Sequence, residues 1–301
     1  MEISDRYLLE KRLGAQKNRK FGELFLAVDK QSGEKVVLKV VRLNDTESDQ
    51  GQTLSAQRLR SEAQFSFTSA ALPTTILFEE SRSSLILVRA YREGIPLDVH
   101  WKHVKRRDRL RFLIELFAKL APVFEQLQNE KIVHCDIKPS NILIQPVGDS
   151  FHIHLLDFGL ALRTNELEEN RARKLLFPLG YAAPELLLNQ LDLVDQRTDL
   201  FALGIVVWRL YTEQLPLVHP NPSIFTNLQL THPLPAHSNI PKKLQTILGK
   251  MTFKHQFSLP PNRMPASEVH DHLAQAMDQR YFALNEVGAD LELLLNRHFL
   301  W

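Results

Sequence analysis

The segment His134-Cys135-Asp136-Ile137-Lys138-Pro139-Ser140-Asn141 constrains this chain more than any other. It sets an acid, a base and an amide within eight residues, between the short apolar runs Ile132-Val133 and Ile142-Leu143-Ile144. That arrangement suits a rigid loop held between small strands. In the pattern H-x-D-x-K-x-x-N the Asp can take or orient a hydroxyl proton. The Lys can neutralise a migrating phosphoryl group, and the Asn side-chain oxygen can hold a metal. Sixteen residues beyond Asn141 stands Asp157-Phe158-Gly159, a second metal-binding carboxylate followed by a flexible Gly. Four fixed positions arise by chance about 0.002 times in a chain of this size, so two such patterns in the right order point to phosphoryl-transfer chemistry.

A chain of 301 residues accommodates one large domain or two lobes sharing a cleft. The net charge of +2 gives no reason to expect a nucleic-acid partner. The densest basic run, Lys102, Lys105, Arg106, Arg107, Arg109 and Arg111, reads as a solvated helix face rather than a docking patch. The start MEISDRYLLEKR is charged and lacks the apolar centre of a signal peptide. The longest apolar stretch, 201–208, is far short of a membrane span and ends at Arg209. Cys135 is the only cysteine, which excludes an internal disulfide. A cytoplasmic protein is expected.

The first ninety residues read as strands with one helix: strands over 7–13, 23–29, 35–42, 75–79 and 85–90, and a helix over 54–67. Lys30-Gln31-Ser32-Gly33 joins the second and third strands as a polar turn, and 44–53 is polar and turn-rich. After Gly94 the spacing becomes helical. Leu110, Leu113, Ile114, Phe117, Leu120 and Ala121 follow a three-four repeat within 109–130. The segment 199–211 reads as a buried helix, and the Pro-rich 215–241 as a surface excursion without periodicity. The expected fold is α+β and bilobal, a small β-rich lobe over 1–92 and a larger helical lobe over 93–275, with the motifs at the cleft between them. A helical tail over 276–301 follows.

On these motifs the chain resembles the eukaryotic-type Ser/Thr protein kinase family from about residue 6 to about residue 273. Val36-Val37-Leu38-Lys39 resembles the V-A-I-K strand, and Arg60-Ser61-Glu62-Ala63 the helix whose Glu pairs with that lysine. The resemblance implies ATP and Mg²⁺ as cofactors and a protein substrate. It implies Lys39 on the α- and β-phosphates with Glu62 bracing it, Asp136 as catalytic base and Lys138 on the γ-phosphate. Asn141 and Asp157 would be the metal ligands. Lys138 two places after the Asp is the Ser/Thr form of the motif. Tyr181-Ala182-Ala183-Pro184-Glu185 resembles the A-P-E segment, and Asp199 with Gly204 the D-x-x-x-x-G helix start whose Asp braces the catalytic loop. Arg263 resembles the late Arg that pairs with the A-P-E Glu.

The chain also departs from that pattern. The Gly-rich phosphate cover is reduced to Gly14 and Gly22, with seven residues between them, Lys17, Arg19 and Lys20 among these. Leu24, Val37 and Leu143 match the apolar walls of an adenine pocket, with Val37 narrowing it where Ala is usual. Alignment through Glu93-Gly94 puts Arg89 at the gatekeeper position and 90–92 in the hinge; a slip of one residue puts Val88 there instead. Cys135 stands where many members carry an Arg that grips an activation-loop phosphate, and a neutral thiol offers no bidentate grip. Thr164 is the one hydroxyl residue in 160–180, and Pro178 takes the place of a Thr that would bridge Asp136 and Lys138. Activity independent of activation-loop phosphorylation is the expectation.

Three functions remain open on the sequence. The first is an active Ser/Thr protein kinase. The second is a pseudokinase scaffold, which the reduced Gly loop, Val37, Arg89 and Pro178 favour. The third is a small-molecule phosphotransferase, which the A-P-E segment and late Arg disfavour. The tail residues Phe282, Leu284, Val287, Leu291, Leu294, Leu295, Phe299, Leu300 and Trp301 form an apolar set with partial helical spacing. They serve either to pack back on the large lobe or to bind a partner or a second copy.

Overall fold

The structure, a computed structural model, describes residues 3–14, 22–43, 50–166, 176–257 and 259–296. After a single turn of helix, α1 (Ile3–Arg6), the chain forms β1 (Tyr7–Leu13), β2 (Glu23–Asp29), β3 (Lys35–Arg42), α2 (Gln50–Ala63), β4 (Thr75–Glu80) and β5 (Ser84–Ala90). The strands make one antiparallel sheet in the order β1-β2-β3-β5-β4. Between β2 and β3 the turn closes through Gly33, whose φ of +75° suits the missing Cβ, with its N–H donating to Asp29 O.

Register decides which side chains face the cleft, since a one-residue slip would turn every one of them over. Leu24 pairs with Lys39 and Lys39 with Leu87; Leu26 pairs with Val37 and Val37 with Arg89. These residues share the face toward α2, where Val41, Leu85 and Leu87 pack on Ala56 and Leu59. On the opposite face Leu38 and Val88 bury against Tyr7, Ala27 and Val36. Arg89, and not Val88, therefore occupies the gatekeeper position.

The larger lobe opens with β6 (Ile95–Pro96) and α3 (Leu97–Trp101), followed by α4 (Arg109–Asn129) and β7 (Ile132–Val133). β8 (Ile142–Val147), β9 (Ser150–Leu155) and β10 (Leu162–Arg163) flank the motif loops, with β6 on β8 and β10 on β7. Then come α5 (Pro184–Leu187), α6 (Gln196–Thr212), α7 (Pro222–Thr231), α8 (Lys242–Met251), α9 (Ala266–Asp278) and α10 (Leu284–Asn296). The core joins one face of α4, including Leu113, Leu116, Phe117 and Leu120, to α6, which is buried almost throughout. Each such Leu or Phe, fully buried, contributes about 1.5–3 kcal/mol. That core makes the large lobe a rigid base for the loops above it.

Three expectations need correction. The helix read over 54–67 spans Gln50–Ala63 instead. Its chain end turns inward because Phe65 and Phe67 pack on Phe158. The Pro-rich excursion contains α7, started by Asn221, whose Oδ1 accepts from the Ser223 and Ile224 amides, with Pro222 in the first helical position. A boundary between 275 and 276 falls inside α9. The tail helix α10 lies along α4 and α8, burying Leu284, Val287 and Leu291 in the main core. Phe299, Leu300 and Trp301 lie outside the described residues.

Candidate active site

Six of the residues singled out by sequence converge on the cleft. From β3, Lys39 Nζ reaches Glu62 Oε2 of α2 at 2.6 Å and Asp157 Oδ1 at 3.4 Å. Burial alone would lower the Lys39 ammonium, but Asp157 and Glu62 outweigh it and hold it above the ordinary lysine range. Burial would likewise raise Asp157. Lys39, Lys138 and His134 reverse that and keep its carboxyl ionised, well below the usual carboxylate range.

The loop between β7 and β8 carries the other three. Lys138 Nζ donates to Asp136 Oδ2 at 2.6 Å, and Asn141 Nδ2 donates to Asp136 O at 2.8 Å and to Oδ2 at 3.2 Å. Asp136 Oδ1 is buried without a partner among the described residues. A buried carboxylate oxygen left open in this way is an acceptor awaiting a donor. Burial pushes the Asp136 carboxyl up, with Lys138 opposing and Asp157 reinforcing the rise.

What holds this loop is Asp199 in the first turn of α6. Its Oδ2 accepts from the His134 amide at 2.7 Å and its Oδ1 from the Cys135 amide at 2.8 Å. Cys135 adopts φ +61° there, a conformation that side-chain-bearing residues rarely take without such support. Asp199 thus braces the loop as the D-x-x-x-x-G pattern implied. The same helix carries Gly204, where a Cβ would sit 2.7 Å from Thr252 Cγ2, so α6 and the end of α8 approach more closely than Ala would permit.

Phe158 is wholly buried among Phe65, Phe67 and His134, with ring centroids 5.7, 5.0 and 4.6 Å away. That packing aims the neighbouring Asp157, at φ +64°, into the cleft toward Lys39. Arg58 of α2 faces Asp136 and Asp157, and its Nη2 donates to Leu176 O at 2.5 Å, tying α2 to the segment before α5.

Leu24 and Val37, expected as adenine walls, are half-buried on the cleft face of the sheet, and Leu143 lies on β8. The hinge is pressed against Leu143: a Cβ on Gly94 would meet Leu143 Cβ at 3.1 Å and Ile144 O at 3.0 Å. Gly14 and Gly22 both have positive φ, +80° and +93°. Gly22 closes on Val40, where a Cβ would lie 2.7 Å from the carbonyl oxygen. Lys17, Arg19 and Lys20 lie outside the described residues.

Arg263 does not meet Glu185. The partner is Arg280, after α9, whose Nη1 reaches Glu185 Oε1 at 2.8 Å with both side chains fully buried. Spacing alone favoured the Arg before α9, and burial favours the one after it. Thr198 Oγ1 also donates to Glu185 Oε1, at 2.9 Å. A cavity also lies behind the hinge. It measures about 930 Å³ and is lined in part by Tyr91, Arg92, Lys119 and His154.

The family description "Protein kinase domain" matches residues 10–273. Curated proteins similar to the chain include Aurora kinase B of Mus musculus, 23% identical over 84% of this chain and 69% of that protein. The serine/threonine-protein kinase PrkC of Bacillus subtilis is 26% identical over 85% of this chain and 38% of its own length. The probable serine/threonine-protein kinase pknA2 of Bifidobacterium longum is 24% identical over 83% of this chain and 33% of its own. The chain thus spans well under half the length of the latter two.

Proposed function

The chain belongs to the eukaryotic-type Ser/Thr protein kinase family, and from that premise we propose that it transfers the ATP γ-phosphate to Ser or Thr hydroxyls of protein substrates without needing a phosphate on its own activation segment. One observation carries the reading. The Lys39–Glu62 pair is closed at 2.6 Å while the base loop and Asp157 stand assembled around the same cleft.

The donor set fits the nucleotide and its cation. With Nδ2 committed to Asp136, the Asn141 oxygen is the atom free to face a metal, and Asp157 adds an ionised carboxylate. Among the described residues no three His, Cys, Asp or Glu side chains form a complete metal cage. Mg²⁺ at nucleotide sites is held by one or two carboxylates together with phosphate and water, so Asn141 and Asp157 would suffice. When bound, ATP supplies the phosphoryl group and Mg²⁺ the neutralising charge.

The chain's own groups orient and move the proton. Asp136 Oδ1 would accept the hydrogen bond of the incoming hydroxyl and then its proton. Lys138, fixed on Oδ2, keeps the carboxyl aimed and places positive charge where the phosphoryl group passes. Burial of Asp136 brings its pKa up toward the range of an effective base. Leu24, Val37 and Leu143 would enclose the adenine, Lys39 would hold the phosphates, and Gly14 and Gly22 bound the segment that would cover them.

Independence from activation-segment phosphate is supported by Cys135. Its side chain is buried among Val133, Leu160, Leu162, Ala182, Leu186, Leu191 and Val194, an apolar cluster with no room for a phosphate grip. Thr164, the one hydroxyl of the segment, has its amide and Oγ1 on Lys131 O. A cytoplasmic location belongs to the same reading; among the described residues no helix is long and apolar enough to cross a membrane.

Transfer from labelled ATP with Mg²⁺, comparing wild type with Asp136→Asn, tests this directly. Signal that survives phosphatase pretreatment and falls about 10²–10⁴-fold in the mutant is expected. Tight nucleotide binding with no transfer to itself or to general protein substrates would instead assign a scaffold.

A further inference from the structure

Arg89 sits on β5 at a position facing the cleft, where the resemblance calls for an apolar side chain, and its guanidinium is almost wholly buried. A buried guanidinium must find acceptors. Its two terminal nitrogens find three at and just beyond the C-terminal end of α2, while Nε is buried without a partner among the described residues. Nη2 donates to Glu62 O at 2.6 Å and to Phe65 O at 3.0 Å, and Nη1 lies 3.4 Å from Glu62 Oε1. The last carbonyls of a helix lack intrahelical donors, and positive charge there is favoured by the helix dipole. Glu62 therefore has one carboxylate oxygen on Lys39 and the other toward Arg89, while its backbone is gripped by the same arginine.

The rest of α2 is lightly anchored. Its buried apolar residues among those described are Ala56 and Leu59, and most of its remaining surface is polar. A helix held by so small an apolar face would swing readily on apolar contacts alone. Polar ties then decide its position, and Arg89 supplies a buried set of them.

We propose that Arg89 is a positioning residue that clasps the C-terminal end of α2, so that Glu62 stands against Lys39 before nucleotide arrives and without any modification of the activation segment. The proposal rests on the phosphoryl-transfer reading of the cleft. It adds a cause for that reading's independence from phosphorylation: the helix position is set by a residue of the sheet behind it. The guanidinium thus turns toward the end of α2.

Arg89→Met and Arg89→Lys test the clasp. Without nucleotide, amide exchange across 59–67 in Arg89→Met should quicken about tenfold or more while α4 and β5 keep wild-type rates, and ATP with Mg²⁺ should slow it again. If only a fraction of molecules hold α2 in place, apparent nucleotide affinity falls by that fraction, so KM for ATP should rise about tenfold with kcat within about threefold. A general structural defect would lower kcat with the active fraction and leave KM unchanged. Lysine keeps the charge but lacks the planar fork that spans two carbonyls and a carboxylate, so Arg89→Lys should fall between. Wild-type exchange over 59–67 in these variants, or loosening spread evenly through the lobe, overturns the proposal; if Arg89→Met does not fold, Arg89→Lys decides in the same way. Should wild type prove inactive, the exchange measurement still decides the clasp, and only the transfer reading fails.

Discussion

Arg280 crosses the large lobe to Glu185, Nη1 to Oε1 at 2.8 Å and Nη2 to Oε2 at 3.3 Å, with neither side chain reaching solvent. Its Nε donates to Phe253 O at 3.1 Å, and the guanidinium lies 4.9 Å from the Phe201 ring centroid. The pair pins α5, which closes the activation segment, to the segment between α9 and α10. It is architecture beneath the site rather than part of the chemistry.

Removing one partner of such a pair leaves the other charged and buried. Arg280→Met should therefore lower stability by about 3–5 kcal/mol, whereas Arg280→Met with Glu185→Leu should recover much of the loss. Among the described residues Arg263 has no such partner, and Arg263→Ala should stay within about 0.5 kcal/mol of wild type. Urea titrations of the four proteins check the order.

Lys254 gives the large lobe a pH dependence. Its ammonium is buried, donates to Gln229 O at 2.9 Å and lies 5.6 Å from the Phe201 ring centroid. Burial, reinforced by Arg280, pushes its pKa down to about 7. Between that value and the ordinary lysine range the unfolded chain binds more protons than the folded one, so stability rises with pH across the window. The slope reaches at most about 1.4 kcal/mol per pH unit. Below pH 7 the charge is buried in full and this contribution is at its minimum. Lys254→Met should flatten the slope, which unfolding titrations at pH 6, 7.5 and 9 would measure as a shrinking gap between the two proteins.

The tail helix offers a comparison between two leucines on one element. Leu291 is 1% exposed in the core shared by α4 and α10, while Leu293 is 53% exposed. Leu291→Ala should cost about 2–5 kcal/mol by loss of transfer energy and the cavity left behind. Leu293→Ala should stay within about 0.5 kcal/mol. Thermal or urea unfolding of the two variants decides.

Much of this was readable in advance, and the parts that were not share a cause. β1, β2 and β3 end where their short runs of apolar and β-favouring residues end, and His134–Asn141 with Asp157 declare themselves by local spacing. Choices that depend on contacts distant in sequence did not. Arg280 and Arg263 flank the same helix, and what separates them is which one faces the buried Glu185, 95 residues away in the chain. Arg89 and Val88 are neighbours, distinguished by sheet register. α7 had a local signal in Asn221-Pro222, masked by the prolines around it.

Asp199 makes the last prediction, because it links the helical core to the chemistry. Both of its oxygens accept backbone amides of the motif loop and hold Cys135 in its left-handed conformation. In Asp199→Asn one oxygen becomes an NH₂ group, which must oppose either the His134 or the Cys135 amide donor to donor. The loop should then relax away from φ +61° and carry Asp136 out of line, although Lys39, Glu62 and the adenine walls are untouched. The expected result is a fall in kcat of about a hundredfold, the scale of a small misplacement of a catalytic group, with KM for ATP within about threefold. Steady-state transfer assays separate the two constants. An equal loss in both would mean that Asp199 serves the lobe as a whole and not the loop.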